Sequence, residues 1–207
     1  DSSLDINIAE EVFSLQGIVI SAEKMENVRN VRLGLERVRA DRIRHIPTVF
    51  GEADVIKAVL TLPGVKSVGE AAGGFNVRGG ATDQNLILYN QGTIYNSSHL
   101  FGLFSLFNND VISNLELYKS SVPARYGGRI SSVLEVNARE GNKNRFTGSA
   151  GIGLLTTKLT LEGPIIKDRT SVIVAGRTTY SDWLMRLIPQ ESGYNDGTAN
   201  FYDLNAG

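Results

Sequence analysis

The chain has 207 residues, of which 42% are apolar and 21% charged, and its formal net charge is −1. This balance gives no electrostatic reason to expect a nucleic-acid partner. There is no cysteine and there are only two histidines, which excludes disulfide frameworks, cysteine nucleophiles and multi-histidine metal sites. Glycine, at 22 residues, exceeds its usual share of about 7% and favours turn-rich β structure. No apolar run approaches the roughly 18 residues of a transmembrane helix.

The chain begins with an acidic stretch, residues 1–11, which predicts a linker or an arm. A short β-prone run follows at residues 17–20. Next, Val31, Leu33 and Leu35 alternate with arginine, glycine and glutamate, and this alternation predicts a half-buried strand. The chain starts without methionine, and we interpret it as a processed or excised piece of a longer protein.

The clearest helix is predicted from Glu52 to Leu62. Acidic residues lie in its first turn, where the helix dipole favours them, and Pro63-Gly64 ends it. Before it, residues 40–45 predict about one further helical turn. One apolar face of the longer helix carries Val55, Ile56, Val59, Leu60 and Leu62.

Five short strands are predicted in the middle of the chain. They are residues 65–68, 75–78, 86–89, 115–119 and 133–137. Asn90-Gln91-Gly92 closes a hairpin after the third of them, because asparagine and glycine suit such turns. We expect the strands between Phe75 and Asn137 to form one mixed sheet with the Glu52–Leu62 helix packed on it, which is an α+β fold. We also expect Gly127 to need a positive φ.

After Gly141 the pattern changes to alternation of apolar and polar residues in segments of about ten residues. One face carries Ile152, Leu154, Leu159, Leu161, Val172 and Val174, and Ile173 is the one exception. Such alternation is typical of transmembrane barrel strands, which have one face in lipid and the other in a wet interior. A water-soluble β-sandwich has the same pattern, and the alternation alone leaves both open.

Sequence motifs give no support to catalysis. HExxH, GxSxG and a Walker loop are all missing, and Gly151-x-Gly153 lacks the third glycine of a dinucleotide fingerprint. The pairs Gly79-Gly80 and Gly127-Gly128 are better explained by backbone torsions than by phosphate binding. We therefore predict that the protein is not an enzyme, and no cofactor or metal is predicted.

Two motifs carry a family resemblance: Phe75-Asn76-Val77-Arg78-Gly79 and the PARYGGRISS segment at residues 123–132. With them the chain resembles the plug domain of a TonB-dependent outer-membrane receptor, the domain that sits inside a large β-barrel. The resemblance implies an arm at residues 1–26, a plug at residues 27–141, and antiparallel strands of a truncated transmembrane barrel at residues 142–207.

The resemblance also implies roles for individual residues. Plug–barrel contacts fall on Arg78, Lys119, Arg125 and Arg129, where Lys119 replaces a family arginine and lacks its bidentate fork. Substrate-facing apical loops carry Glu70, Thr82, Asp83, Gln84, Tyr95, Asn96, Ser97 and His99. The energy-coupling segment, which adds as a strand to TonB, falls near Gly17, Ile18, Val19 and Ile20.

The implied function is gating of energy-driven uptake of a scarce, bulky nutrient across the bacterial outer membrane. Its implied partners are TonB of the inner-membrane complex, outer-membrane lipid around the full barrel, and an extracellular small-molecule, glycan or peptide substrate. The arm would lie in the periplasm. Two alternatives remain: a soluble periplasmic or cell-surface α+β binding module, and an enzyme with an unrecognised carboxylate pair.

Overall fold

The computed structural model describes residues 34–46, 53–69, 73–99, 102–180 and 200–207, which all belong to one compact unit. The energy-coupling segment Gly17–Ile20 and the apical residue Glu70 lie outside the described residues. Among the residues described, no helix is long and apolar enough to cross a membrane.

The described strands follow one another along the chain with few helical residues between them. They are β1 (Leu35–Arg39), β2 (Val65–Ser67), β3 (Phe75–Val77), β4 (Asn85–Tyr89), β5 (Gly92–Thr93), β6 (Ser98–His99), β7 (Phe104–Ser105), β8 (Ile112–Tyr118), β9 (Ser132–Ala138), β10 (Thr147–Ile152), β11 (Thr156–Ile166), β12 (Thr170–Thr179) and β13 (Tyr202–Ala206). The α-helices are α1 (Ala40–Arg44) and α2 (Val55–Leu60), and short 3-10 turns lie at Thr82–Gln84 and Asn109–Val111.

Five strands form a mixed central sheet in the order β1-β8-β9-β4-β5. Only the β4–β9 pair is parallel. The β4–β5 hairpin turns through Asn90 and Gln91 with φ values of 46° and 70°, the two positive values that a type I′ turn requires. Helix and sheet thus confirm the α+β class.

The strand at Phe75–Val77 does not join this central sheet, so that part of the prediction was wrong. It pairs with β2 in a separate two-stranded ribbon. Gly74 has φ 126° before the strand, and Arg78 and Gly79 have φ 50° and 84° after it. These left-handed residues bound the extended backbone to three residues, and all three pair with β2.

Helix α2 packs on the central sheet, as predicted, although it begins three residues later than expected. Its N-cap is Asp54, whose Oδ1 accepts hydrogen bonds from the N–H groups of Ile56 (2.7 Å) and Lys57 (3.1 Å). Val55 and Val59 are fully buried in one core cluster with residues of β8 and β9. Burial of each such side chain stabilises the fold by about 1.5–3 kcal/mol.

On the other face of the central sheet one residue packs from residues 121–131, a segment that we call the strap. Tyr126 of the strap packs against Tyr118 (ring centroids 5.4 Å apart) and Val133. Gly128 adopts φ 83°, whereas Gly127 does not have a positive φ. The prediction of a left-handed Gly127 was therefore wrong by one residue, because either glycine of the pair can supply the turn's positive φ.

The last four strands form an antiparallel meander, β10-β11-β12-β13, which we call the meander sheet. Its apolar side chains alternate to one face and are exposed, with Ile152 at 84% and Tyr202 at 82%. The opposite face is buried and polar or small, with Thr160, Ala175 and Arg177. Ile173, the exception in the alternation, points to this inner face and packs on Val111.

Candidate functional site

The inner face of the meander sheet packs against residues 97–99 and 102–111, and this contact is the best-defined polar site among the described residues. We call it the seam. Arg177 of β12 is 4% exposed, and its Nε donates to Asp203 Oδ2 on the neighbouring strand β13 (2.9 Å). Its Nη2 also donates to the carbonyl of Ser105 (2.7 Å). A fork-shaped guanidinium can hold a strand partner and a second segment at the same time.

His99 lies at the same seam, on β6. Its Nε2 is 2.9 Å from Asp203 Oδ1, and its ring stacks on Phe201 with centroids 4.3 Å apart. Arg177 also lies over the Phe201 ring, 5.2 Å from its centroid. The buried Asp203 carboxylate thus joins His99 of β6 to Arg177 of the meander sheet, with one oxygen on each.

Two further ion pairs, neither of which involves His99, also bind the meander sheet to the rest of the unit. Lys158 of β11 contacts Asp110 (2.9 Å), and Arg139 pairs with Glu162 of β11. In one pair the meander sheet supplies the cation, and in the other it supplies the carboxylate. A cavity of about 270 Å³ lies beside Asp203, lined by Tyr89, Leu106, Phe107, Tyr202, Asp203, Leu204 and Asn205.

The predicted plug–barrel residues do not lie at the seam. Arg78 is exposed beside the β2–β3 ribbon, and Arg129 is exposed in the strap. Lys119 is buried, and its Nζ donates to Glu36 Oε1 and to the carbonyl of Pro63, both at 2.9 Å. The partners of Lys119 therefore lie on β1 of the central sheet and just after α2, and not on the meander sheet. A contact of Arg78, Lys119 or Arg129 with a barrel wall stays a prediction.

Arg125 belongs to a cluster that fastens the strap to the central sheet. Its guanidinium lies over the Tyr126 ring, 4.6 Å from the centroid, and 3.7 Å from Glu135. The Tyr126 hydroxyl donates to Glu135, and burial together with this hydrogen bond raises the pKa of Tyr126. Glu135 faces Glu116 directly across the β8–β9 pair. Two like charges directly opposite each other destabilise a sheet. The strap offsets this at Glu135, because Arg125 and Tyr126 both contact its carboxylate.

The predicted apical residues form two loops that lie close together. Thr82 donates to Asn76 (3.0 Å), Gln84 accepts from the N–H of Ala81, and Asp83 is exposed. In the second loop Tyr95 is 89% exposed and Asn96 caps the turn before β6.

Ser97 and His99 are less accessible than the other apical residues. Ser97 is buried, and its carbonyl accepts from the N–H of Leu106 (2.9 Å). The loops meet at Gly73 and Gly74, where a Cβ would collide with Ser98 and Thr82 respectively. His99 differs from the solvent-facing loop histidine that we expected, since Asp203 and Phe201 hold it. Its contact with substrate stays a prediction.

Sequence reasoning predicted Ser97 and His99 as apical-loop residues and missed the other residues of the seam. Arg177 was one of several polar residues in an alternating strand, and nothing marked it as the one that contacts another layer. The signal that was available is charge: arginine, lysine and glutamate on the inner face of β11 and β12 need partners when buried. Among the described residues there is no group of three or more potential metal-binding acids or histidines.

Comparison with known proteins identifies the domain at residues 38–133. A family model described as the TonB-dependent Receptor Plug Domain matches residues 38–133. This chain carries a TonB-dependent receptor plug. The matched range contains α1, α2, the ribbon and three whole strands of the central sheet (β4, β5 and β8), together with the end of β1 and the start of β9. No curated protein matches the sequence.

Solved structures of siderophore receptors and of an outer membrane transporter share the fold. The siderophore receptor PirA from Pseudomonas aeruginosa is 18% identical, with a TM-score of 0.52, over 72% of this chain and 29% of its own. A variant of the ferric enterobactin receptor PfeA from the same organism is 19% identical, with a TM-score of 0.52, over 74% of this chain and 26% of its own. The outer membrane transporter YddB from Escherichia coli is 14% identical, with a TM-score of 0.51, over 70% and 26%.

The chain thus spans less than a third of the length of these structures. At these identities the likeness shows the fold: a plug followed by strands of a partial barrel. The family is one of receptors rather than enzymes. The strap, with its PARYGGR segment, and the ribbon, with its Arg-Gly pair, are now seen to be parts of a plug.

Proposed function

We propose that this chain is the plug and the first wall strands of a TonB-dependent transporter in the bacterial outer membrane, which gates uptake of a bulky nutrient. One observation carries the proposal: a plug-family core packs against the charged inner face of a sheet whose outer face is apolar and exposed. A transmembrane barrel strand needs this arrangement, with side chains alternating between lipid and interior.

The apolar outer face also weighs against the soluble-module alternative. A sheet that closes a water-facing sandwich directs its apolar residues inward and its polar residues outward. The meander sheet does the reverse, with Arg177, Thr160 and Asp203 inside and Leu159 and Leu204 outside. This inversion favours a sheet that meets lipid.

In this proposal the loops around Thr82–Gln84 and Tyr95–His99 face incoming substrate, together with Glu70, which lies outside the described residues. The exposed Tyr95 and Asn96 supply an aromatic ring and an amide for a small molecule, a glycan or a peptide. Domain bounds at residues 26 and 141 remain part of the proposal.

The test of the function is transport dependence on TonB. The segment Gly17–Ile20 is proposed to add as a strand to TonB, so a backbone N–H donor is needed there. In the full-length receptor, Ile18→Pro removes that donor, whereas Ile18→Thr keeps it and also suits a strand. We expect Ile18→Pro to abolish uptake and leave cell-surface binding of the substrate intact.

Ile18→Thr is the matched control and should transport nearly normally. Normal uptake by the Ile18→Pro variant would place the coupling segment elsewhere. Loss of binding together with uptake would instead mean that this segment belongs to the folded receptor. Uptake in cells that lack TonB would contradict the proposed function itself.

A further inference from the structure

The peptide groups of Ser105 are held from both sides of the seam. The N–H of Ser105 donates to Asp54 Oδ2 (2.8 Å), and its carbonyl accepts from Arg177 Nη2 (2.7 Å). All three residues are buried. One residue of β7 therefore joins a carboxylate of the plug core to an arginine of the meander sheet.

Asp54 has a second task, at the start of α2. While Oδ2 holds Ser105, Oδ1 accepts from the N–H groups of Ile56 and Lys57 in the first turn of the helix. Because a helix's first N–H groups have no partners within the helix, this cap stabilises the start of α2. The same carboxylate therefore positions both the helix start and the strand that touches Arg177.

The contacts continue from Arg177 back to the plug. Arg177 pairs with Asp203, and Asp203 contacts His99 on β6, the hairpin partner of β7. The polar contacts thus run from α2 through β7 to the meander sheet and return at β6, directly after the exposed Tyr95–Asn96 loop. Breaking one of these bonds leaves buried charge unpaired, which is strongly unfavourable.

We propose that Asp54 is a positioning residue that couples the first turn of α2 to the barrel wall through Ser105 and Arg177. Release of the plug from the wall at Arg177 then loosens the start of α2, and movement of the Tyr95–His99 loop reaches the same helix through Asp203. The inference rests on the proposed function, because the seam is a plug–wall contact only in a receptor.

The first test measures amide hydrogen exchange of α2 in the full-length receptor with Arg177→Met. We expect protection of the Ile56 and Lys57 amides to fall by about tenfold or more, the scale of one lost hydrogen bond to a charged group. Arg139→Met is the matched control, since Arg139 also pairs across the seam, with Glu162, but does not contact Ser105. We expect the control to leave α2 exchange unchanged.

The second test separates the two tasks of Asp54. Asp54→Ser keeps an N-cap oxygen for the helix but removes the second oxygen that holds Ser105. We expect α2 to stay protected in this variant while the Ser105 amide loses protection by about tenfold. In the Asp54→Ser background, Arg177→Met should cause no further change in α2.

The coupling is overturned if Arg177→Met leaves the α2 amides as protected as in the unchanged receptor, or if Arg139→Met exposes them equally. Retained protection of the Ser105 amide in Asp54→Ser also contradicts it. Hydrogen exchange in these variants reports on the coupling alone, and TonB-dependent uptake by the unchanged receptor reports on the proposed function. The two can therefore fail separately.

Discussion

The central sheet and the meander sheet bury opposite kinds of side chain. The central sheet packs against α2 on one face and against Tyr126 of the strap on the other, and its interior is aliphatic, with Leu115, Leu134 and Val136 fully buried. The meander sheet buries arginine and threonine against the plug and exposes leucine and isoleucine on the other side. The first pattern is typical of a domain that folds in water, and the second is the pattern that a lipid-facing sheet requires.

The largest expected effect comes from opening the aliphatic interior of the central sheet. Leu134→Ala removes a fully buried side chain beside α2, and we expect the free energy of unfolding of the plug to fall by about 2–5 kcal/mol. Denaturant unfolding of the full-length receptor, followed by a probe in the plug, measures this. Leu159→Ala, on the exposed outer face, is the matched control, and an equal loss there would contradict the comparison.

The second prediction replaces one apolar residue of the outer face by a charged one. Leu161→Arg places a charge on the outer face, and in a bilayer we expect it to destabilise the folded receptor by about 2–4 kcal/mol near the midplane. Folding titrations into lipid vesicles give the number. The neighbouring residue Thr160 lies on the inner face of the same strand. We expect Thr160→Val to leave the stability of the receptor nearly unchanged. Loss of stability in Leu161→Arg but not in Thr160→Val is the result expected of a lipid-facing strand.

The third prediction concerns the fastening of the strap. Tyr126→Phe removes the hydroxyl that donates to Glu135 and leaves that carboxylate opposite Glu116. We expect a loss of about 1.5–3 kcal/mol from the free energy of unfolding, as for a hydrogen bond to a charged group. Tyr95→Phe is the control at an exposed tyrosine. Equal stability of Tyr126→Phe and the unchanged receptor would show that the Tyr126 hydroxyl does not fasten the strap.

How far the sequence predicts this molecule depends on the distance over which each signal acts. The α2 helix and the β4–β5 hairpin were predictable because capping, apolar spacing and turn residues act within a few positions. The pairing of Phe75–Val77 with β2 was not, because strand partners are chosen by tertiary contacts. The seam was missed for the same reason: Arg177 and Ser105 are 72 positions apart.

The smallest expected effect distinguishes two adjacent glycines. Gly128 has φ 83° and Gly127 does not have a positive φ, although nothing crowds a side chain at either position. Gly128→Ala should cost about 1–2 kcal/mol of stability, while Gly127→Ala should be close to neutral. Thermal unfolding of the two variants side by side measures the difference. The opposite order would mean that the turn reverses at Gly127, as the sequence first indicated.

The central claim is that the outer face of the meander sheet meets lipid while its inner face holds the plug. Spin labels introduced one at a time at residues 157–161 of β11, in the full-length receptor in bilayers, test it most directly. We predict that oxygen accessibility oscillates with a period of two, high at Leu159 and Leu161 and low at Lys158 and Thr160, and that a water-soluble relaxation agent does not reach the two leucines. If that agent reaches Leu159 and Leu161, the face lies in water and the transporter account is contradicted.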